Sequence, residues 1–346
     1  MENLETTASN VLNLFWSWQT LDWQWSLVIQ LVVAIVGILG NMLVVIVMFQ
    51  RRSHSRSTDI LIQSLAVADL LTSILLIPIP DLQTAPDTWL GEIYCRLIDS
   101  QMLMWIAITA STYALVTVSV DRYFAIVYPL AFNRLVSKRR VIICIVLTWF
   151  AAFLMCFPGI FVFEIDGSSG RCIFTFPTST AQLAFGAYTF VLRLVIPILI
   201  MMVTQTLIAR NLFRESKRFE GNKDVGMRSS GLLAARSRII KMMVIVILIY
   251  VICWAPNQIA FFGVTIGVIP FTYINSILHR ALTVLAFFNS CMNPVVYIVM
   301  NAHFRKAIKG LCVGTRARLG PVFEHKIDAS ESLSTNATNL PPMTGL

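Results

Sequence analysis

The residues able to do chemistry in this chain are few and widely spaced. Asp69 stands inside an apolar stretch from about 59 to 80, where an ionisable group costs about 2.5 to 3.5 kcal/mol to insert and therefore needs partners. Asn289, Ser290 and Asn293 lie in another apolar stretch, Asn289 and Asn293 one helical turn apart on a shared face, and Ser111 lies in a third at comparable depth. Together Asp69, Ser111, Asn289 and Asn293 make an oxygen-rich set that suits a hard cation such as sodium. The same groups would also serve as a hydrogen-bonded cluster holding helices together, and both readings stand. Asp121 beside Arg122 is a neighbouring-charge pair that holds five guanidinium donors until something takes them. A charge pair that merely anchors a helix at a membrane edge is its plain alternative. Catalytic patterns are missing: His54, His279, His303 and His325 are scattered, and no metal or nucleophile spacing appears. No enzyme is expected.

The elements that position these residues follow from composition. Of 346 residues, 57% are apolar and 13% charged, about half the roughly 25% charge of a soluble globular protein. The charges cluster between long uncharged runs, and mean hydropathy is +0.73. A membrane protein is expected. Hydrocarbon about 30 Å thick needs roughly 20 apolar helical residues, because the backbone must pair with itself where water is absent. Such runs fall at about 25–49, 59–80, 98–127, 140–162, 182–210, 238–266 and 271–300. Asp69 lies within the second and Arg193 within the fifth. The expected fold is an all-α membrane protein, a bundle of seven transmembrane helices.

Charge sets the orientation. The first 24 residues hold Glu2, Glu5 and Asp22 but no Lys or Arg, so they lack the basic region of a cleaved signal peptide. Arg51, Arg52 and Arg56 follow the first run, which places that end in the cytoplasm. With seven crossings the N-terminus is outside and the C-terminus inside. Of 27 Lys and Arg, only Arg96, Arg171, Arg193 and Arg280 then fall on the outer half. Glu2, Glu5, Asp22, Asp81, Asp87, Glu92, Asp99, Glu164 and Asp166 make that half acidic, a field that attracts cationic ligands. The inner basic excess suits anionic lipid. No nucleic-acid module is present, and nucleic acid is not an expected partner.

Residues 1–24 read as an extracellular tail, 25–300 as the bundle, and 312–346 as a disordered cytoplasmic tail. The stretch 211–236, rich in Arg, Lys, Ser and Gly, reads as a mobile basic loop. Ser330, Ser332, Ser334, Thr335, Thr338 and Thr344 in the tail are either filler or kinase substrates whose phosphates recruit a basic partner. The lone glycosylation sequon, Asn336-Ala337-Thr338, lies in that inner tail and gives no check on topology.

A series of motifs then becomes specific. Gly40-Asn41 stands in the first run, Leu65-Ala66-Val67-Ala68-Asp69 in the second, and Asp121-Arg122-Tyr123 at the end of the third. Trp149 stands in the fourth, Pro197 in the fifth, Cys253-Trp254-Ala255-Pro256 in the sixth, and Asn293-Pro294-Val295-Val296-Tyr297 in the seventh. Residues 301–311 form an amphipathic stretch with Phe304 and Arg305. From Trp25 to Cys312 this order resembles the rhodopsin-like family of G protein-coupled receptors.

The resemblance implies a short amphipathic eighth helix on the membrane surface, a plasma-membrane location and a heterotrimeric G protein as partner. It also implies receptor kinases and arrestin acting through the tail. Pro256 removes a backbone hydrogen bond and makes a kink about which the inner half of the sixth helix swings. By resemblance, Trp254 senses ligand, and Asn293, Pro294 and Tyr297 rearrange with Asp69. Arg122 then meets the G protein, with Pro129, Leu130 and the stretch Arg236 to Lys241 adding to the docking surface. Cys95 and Cys172 both face the oxidising side and form the favoured disulfide. Cys144, Cys156, Cys253 and Cys291 read as packing residues. Cys312 is either a palmitoylation site or a free thiol. No cofactor is expected apart from the sodium ion already considered.

Three positions depart from the family pattern. The interval from Cys95 to Arg122, 27 positions, is longer than usual, so the outer half of the third helix is expected to hold a bulge or a shifted register. Gln205 stands where a tyrosine is common and Tyr250 where a phenylalanine is, with Thr112 facing them. No lysine occurs between Lys241 and Lys306, which excludes a retinal Schiff base. Either register of the third helix places Met102 or Met104 where amine receptors carry an aspartate, which argues against a monoamine.

The chain resembles the peptide branch, near somatostatin, galanin and kisspeptin receptors, and an extracellular peptide is the expected ligand. A receptor of the same fold for a non-peptide small molecule, orphan or constitutively active, is the alternative, and a membrane transporter the remote one. The ligand pocket above Trp254 is expected to involve Gln101, Met104, Trp105, Arg193, Asn257, Gln258, Phe261, Arg280 and Thr283. Arg193 would either bind a carboxylate or pair with Asp99.

Overall fold

The computed structural model describes residues 16–50, 57–220 and 223–312. Seven helices in it are long and apolar enough to cross a membrane: α1 (Trp25–Gln50), α2 (Ser57–Leu75), α3 (Trp89–Val127), α4 (Lys138–Val162), α5 (Ser179–Lys217), α6 (Ile240–Thr265) and α7 (Ile277–Met300). A short α8 (Ala302–Cys312) follows. The expected bundle and its eighth helix are present.

Helix α3 is the central post. It packs on α2, α4 and α5, while α1 closes the ring by touching both α2 and α7, and α6 fills the gap between α5 and α7. Lipid is as apolar as leucine, so interhelical contact depends on close packing more than on hydrophobicity. Gly40 of α1 meets Pro294 of α7, where an added Cβ would lie 3.0 Å from the proline ring. At Gly37 an added Cβ would run into Ser73 Oγ of α2. These glycines bring α1 against its two neighbours.

The outer half of α3 carries the irregularity its length foretold. Cys95–Asp99 is a π turn, which lodges an extra residue in the helix, and Gln101 takes φ 54°, the only positive φ of a non-glycine among the described residues. Helix α5 holds a second π turn, Val191–Val195. The second of these turns carries Arg193.

Outside the membrane two small sheets form. Strand β1 (Ser17–Trp18) pairs antiparallel with β2 (Leu82–Thr84), and Ser17 Oγ shares a 2.6 Å hydrogen bond with Thr84 Oγ1. Part of the N-terminal tail is thus tied to the first outer loop, with Trp16 and Trp18 edge-on to Tyr94. Strands β3 (Phe163–Ile165) and β4 (Cys172–Phe174) form the hairpin of the second outer loop, Glu164 facing Ile173. At its turn Asp166 accepts hydrogen bonds from Ser168 and Ser169 hydroxyls. Those bonds hold its carboxyl below the usual carboxylate range.

The basic stretch 211–236, expected as a mobile loop, is helical over 211–220 and 223–236: one helix continues to Glu220 and the next runs from Lys223 to Thr265. Leu, Ala, Arg, Lys and Glu are good helix formers, and the first proline comes only at Pro256. The phosphorylatable residues of 312–346 lie outside the described residues, as do Arg51, Arg52 and Arg56. Cys312 is the last residue of α8.

Candidate functional site

Three layers of polar residues run down the bundle. The outermost is a cavity of about 410 Å³ between α3, α5, α6 and α7. The disulfide Cys95–Cys172 fastens the β3–β4 hairpin to the head of α3, and the hairpin hangs Phe163 and Phe174 over the mouth. Phe174 packs on Phe261 and lies stacked against Phe271. Below that aromatic roof the walls carry Gln101, Trp105, Arg193, Asn257, Gln258, Phe261 and Thr283, all expected from the sequence.

Three expected residues are not on the cavity wall. Met104 is buried in the helical core, because the irregular turn before it rotates α3 so that Met102 lines the cavity instead. Trp254 is buried one layer lower, its ring 6.3 Å from that of Trp105. Arg280 is exposed and donates to Gln24 Oε1, tying α7 to the start of α1. Sequence reasoning missed Phe174, Phe185, Phe271, Met155, Cys156 and His279, which also line the cavity. The run of phenylalanines around Cys172 was the available signal.

Arg193 does not pair with Asp99, and among the described residues it has no carboxylate partner. The π turn carries its guanidinium over the Trp105 ring, 4.9 Å from the centroid. Its Nη2 reaches only the sulfurs of Met155 and Cys156, at 3.6 and 3.7 Å. Its Nε is buried without a hydrogen-bond partner.

The middle layer gathers around Asp69, which is fully buried. Ser111 Oγ donates to Asp69 Oδ1 at 2.6 Å, and Asn293 Nδ2 donates to Oδ2 at 2.8 Å. Asn289, one turn from Asn293, keeps a buried Oδ1 with no hydrogen-bond partner among the described residues. Asn41 Nδ2 bridges Gly37 and Ser290 carbonyls, each at 2.9 Å, and so clamps α1 to α7. Four helices meet through this cluster. Its donor set is oxygen-rich and includes an oxygen with nothing to bind, which fits a hard cation.

The innermost layer holds Asp121 and Arg122. Arg122 Nη2 donates to Asp121 Oδ2 at 2.8 Å, and Thr58 Oγ1 donates to the same oxygen at 2.7 Å. Arg122 is buried. Tyr297 is buried too, edge-on to Phe304 of α8. Tyr123 packs on Phe124 and Tyr128. Pro129 opens the short helix Pro129–Leu135, which presents Leu130 82% exposed at the inner face. Pro256 and Pro294 lie inside α6 and α7.

Such a stack, an outer cavity joined through buried polar groups to a latched arginine at the opposite end, has the layout of a receptor. The model of the seven-transmembrane receptors of the rhodopsin family matches residues 40–297. The chain belongs to that family and is a receptor rather than an enzyme, a multi-pass protein of the plasma membrane. It is 29% identical over 283 residues to galanin receptor type 2 of Rattus norvegicus, covering 81% of this chain and 73% of the relative. It is 27% identical over 315 residues to the allatostatin-A receptor of Bombyx mori, 89% of this chain and 81% of the relative. A QRFP-like peptide receptor of Branchiostoma floridae is 27% identical over 329 residues, 91% of this chain and 85% of the relative.

Proposed function

We propose that this receptor is opened by an extracellular peptide and activates heterotrimeric G proteins, with residues 1–24 outside the cell and 312–346 in the cytoplasm. The observation that carries the reading is the ring contact between Trp105, on the cavity wall, and Trp254, two residues before the hinge at Pro256. A ligand that moves Trp105 presses on Trp254, and the kinked helix transmits the shift to its inner half. The same helix packs on α5 and α7. Releasing Arg122 offers five donors to the docking G protein, beside exposed Leu130. The names of the similar receptors, for galanin, allatostatin-A and a QRFP-like peptide, favour a peptide as the ligand.

Asp69, Ser111 and the free Oδ1 of Asn289 would hold a sodium ion, with Asn293 fixing the carboxylate. The ion would neutralise Asp69 and hold α2, α3 and α7 in the resting arrangement. Cys312 at the end of α8 stands where an acyl chain would enter the inner leaflet. Receptor kinases and arrestin would act on the hydroxyl-rich tail.

The test is nucleotide exchange on added G protein by the full chain in nanodiscs, screened with a neuropeptide library. Peptide-stimulated exchange that Arg122→Ala removes, with folding intact, is expected. A receptor that never accelerates exchange, but moves solute across vesicles, would be a transporter instead.

A further inference from the structure

Among the described residues the guanidinium of Arg193 has no counter-charge. No Asp or Glu lines the cavity, and no other Arg or Lys does. The nearest groups to Arg193 are an aromatic face and two sulfurs, which soften a cation but cannot neutralise it. A guanidinium fork in a low-dielectric wall is matched by a planar monoanion accepting two parallel bonds. A single positive charge suits a carboxylate better than a phosphate dianion.

The facing wall adds a second requirement. Asn257 Oδ1 and Thr283 Oγ1 are buried without hydrogen-bond partners, and both residues line the same cavity. Carbonyl and hydroxyl oxygens accept N–H groups. A ligand that fills the cavity therefore brings a carboxylate to one wall, N–H donors to the other, and apolar surface to Phe174, Phe261 and Phe271 above. A peptide end supplies all three.

We infer that the cavity captures a ligand carboxylate on Arg193, delivered by a peptide whose terminal residue is aromatic or aliphatic. The inference rests on the reading of the chain as a peptide receptor and deepens it. An uncharged C-terminal amide would leave Arg193 unpaired and bind weakly. The acidic groups outside, Asp81, Asp87, Glu164 and Asp166 among them, repel a bare anion, so the rest of the peptide is expected to be basic.

The test uses the full chain in nanodiscs and reads its Tm with three probes at millimolar concentration. They are an N-acetylated glycine–phenylalanine dipeptide with a free C-terminal carboxylate, the same dipeptide as its amide, and an N-acetylated phenylalanine–aspartate dipeptide amidated at its C-terminus. The free acid should raise Tm and the first amide should not. The third probe separates a terminal carboxylate from a side-chain one: a rise with it alone assigns the Asp or Glu source. Arg193→Met should abolish every rise while leaving the ligand-free Tm equal to or above that of the natural chain, since no internal ion pair is lost and a methionine keeps apolar contact with the Trp105 ring.

An equal rise with acid and amide, no response to either carboxylate, or a fall in ligand-free Tm on Arg193→Met would each overturn the inference. Peptide-stimulated nucleotide exchange that persists in any of those cases leaves the receptor reading intact and separates the two failures.

Discussion

The hydroxyl of Tyr250 on α6 donates to the main-chain carbonyl of Arg193 on α5. The π turn at Val191–Val195 disturbs the helix's own hydrogen-bond ladder, and a tyrosine from the neighbouring helix supplies a donor there. The bond does two things at once. It fixes the turn that aims Arg193 at the cavity, and it ties α5 to α6 on the inner side of the hinge at Pro256. Tyr250→Phe removes the donor and keeps the ring, so it should cost about 0.5 to 1.5 kcal/mol in thermal unfolding. Basal nucleotide exchange should rise because α6 is freer to swing. Unchanged stability together with unchanged basal exchange would show that the tie is dispensable.

At the opposite end one carboxylate oxygen, Asp121 Oδ2, accepts from both Arg122 and Thr58. Asp121→Asn weakens a charge-assisted bond worth about 1.5 to 3 kcal/mol. Basal exchange is expected to rise about tenfold, equivalent to ~1.4 kcal/mol. Thr58→Val removes only a neutral donor and should act in the same direction with a smaller effect. If Asp121→Asn lowers basal exchange while the receptor still folds, the pair is no latch.

How far the sequence foretold this arrangement depends on the range of the interactions. The seven spans were legible because the membrane demands long apolar helices, and the buried Asp69 announced itself as an ionisable group in one of them. Even the irregular head of α3 was signalled by the long interval from Cys95 to Arg122. The cavity lining was less legible. Met104 and Met102 differ by two positions, and only the actual φ of Gln101 decides which faces inward. Arg280 looked like a pocket residue by its place on α7, yet it reaches outward to Gln24. Phe174 reaches the mouth because a disulfide 77 positions long folds its hairpin across the bundle. The helix from Lys223 was hidden because a polar segment without an apolar face looks like a loop whether or not it is helical.

Gln205 carries the sharpest local conflict in the bundle. Both its Nε2 and Oε1 are buried without hydrogen-bond partners, and each such atom costs about 1 to 3 kcal/mol. Gln205→Leu keeps the size and removes both polar atoms. The resting receptor should gain stability, seen as a higher Tm, while agonist-stimulated exchange falls if the amide finds its partners only after α6 has moved. A lower Tm would mean that the amide is satisfied at rest.

The close approach of α1 to α2 rests on the missing side chain at Gly37. A Cβ there would collide with Ser73 Oγ and lie 3.0 Å from Ser73 Cβ, while Ser73 Oγ is held by the Asp69 carbonyl at 2.7 Å. The serine cannot turn away without breaking that bond, so Gly37→Ala should destabilise the bundle by about 1 to 3 kcal/mol, the usual cost of overpacking. Ser73→Ala removes the nearest obstacle but leaves its Cβ in place. The double substitution should therefore recover part of the loss, giving a coupling energy of about 0.5 to 3 kcal/mol in a double-mutant cycle. Strict additivity of the two changes would mean that α1 and α2 part freely on opening space at this point. The clamp would then lie one turn further on, with Asn41 and its bond to the Ser290 carbonyl.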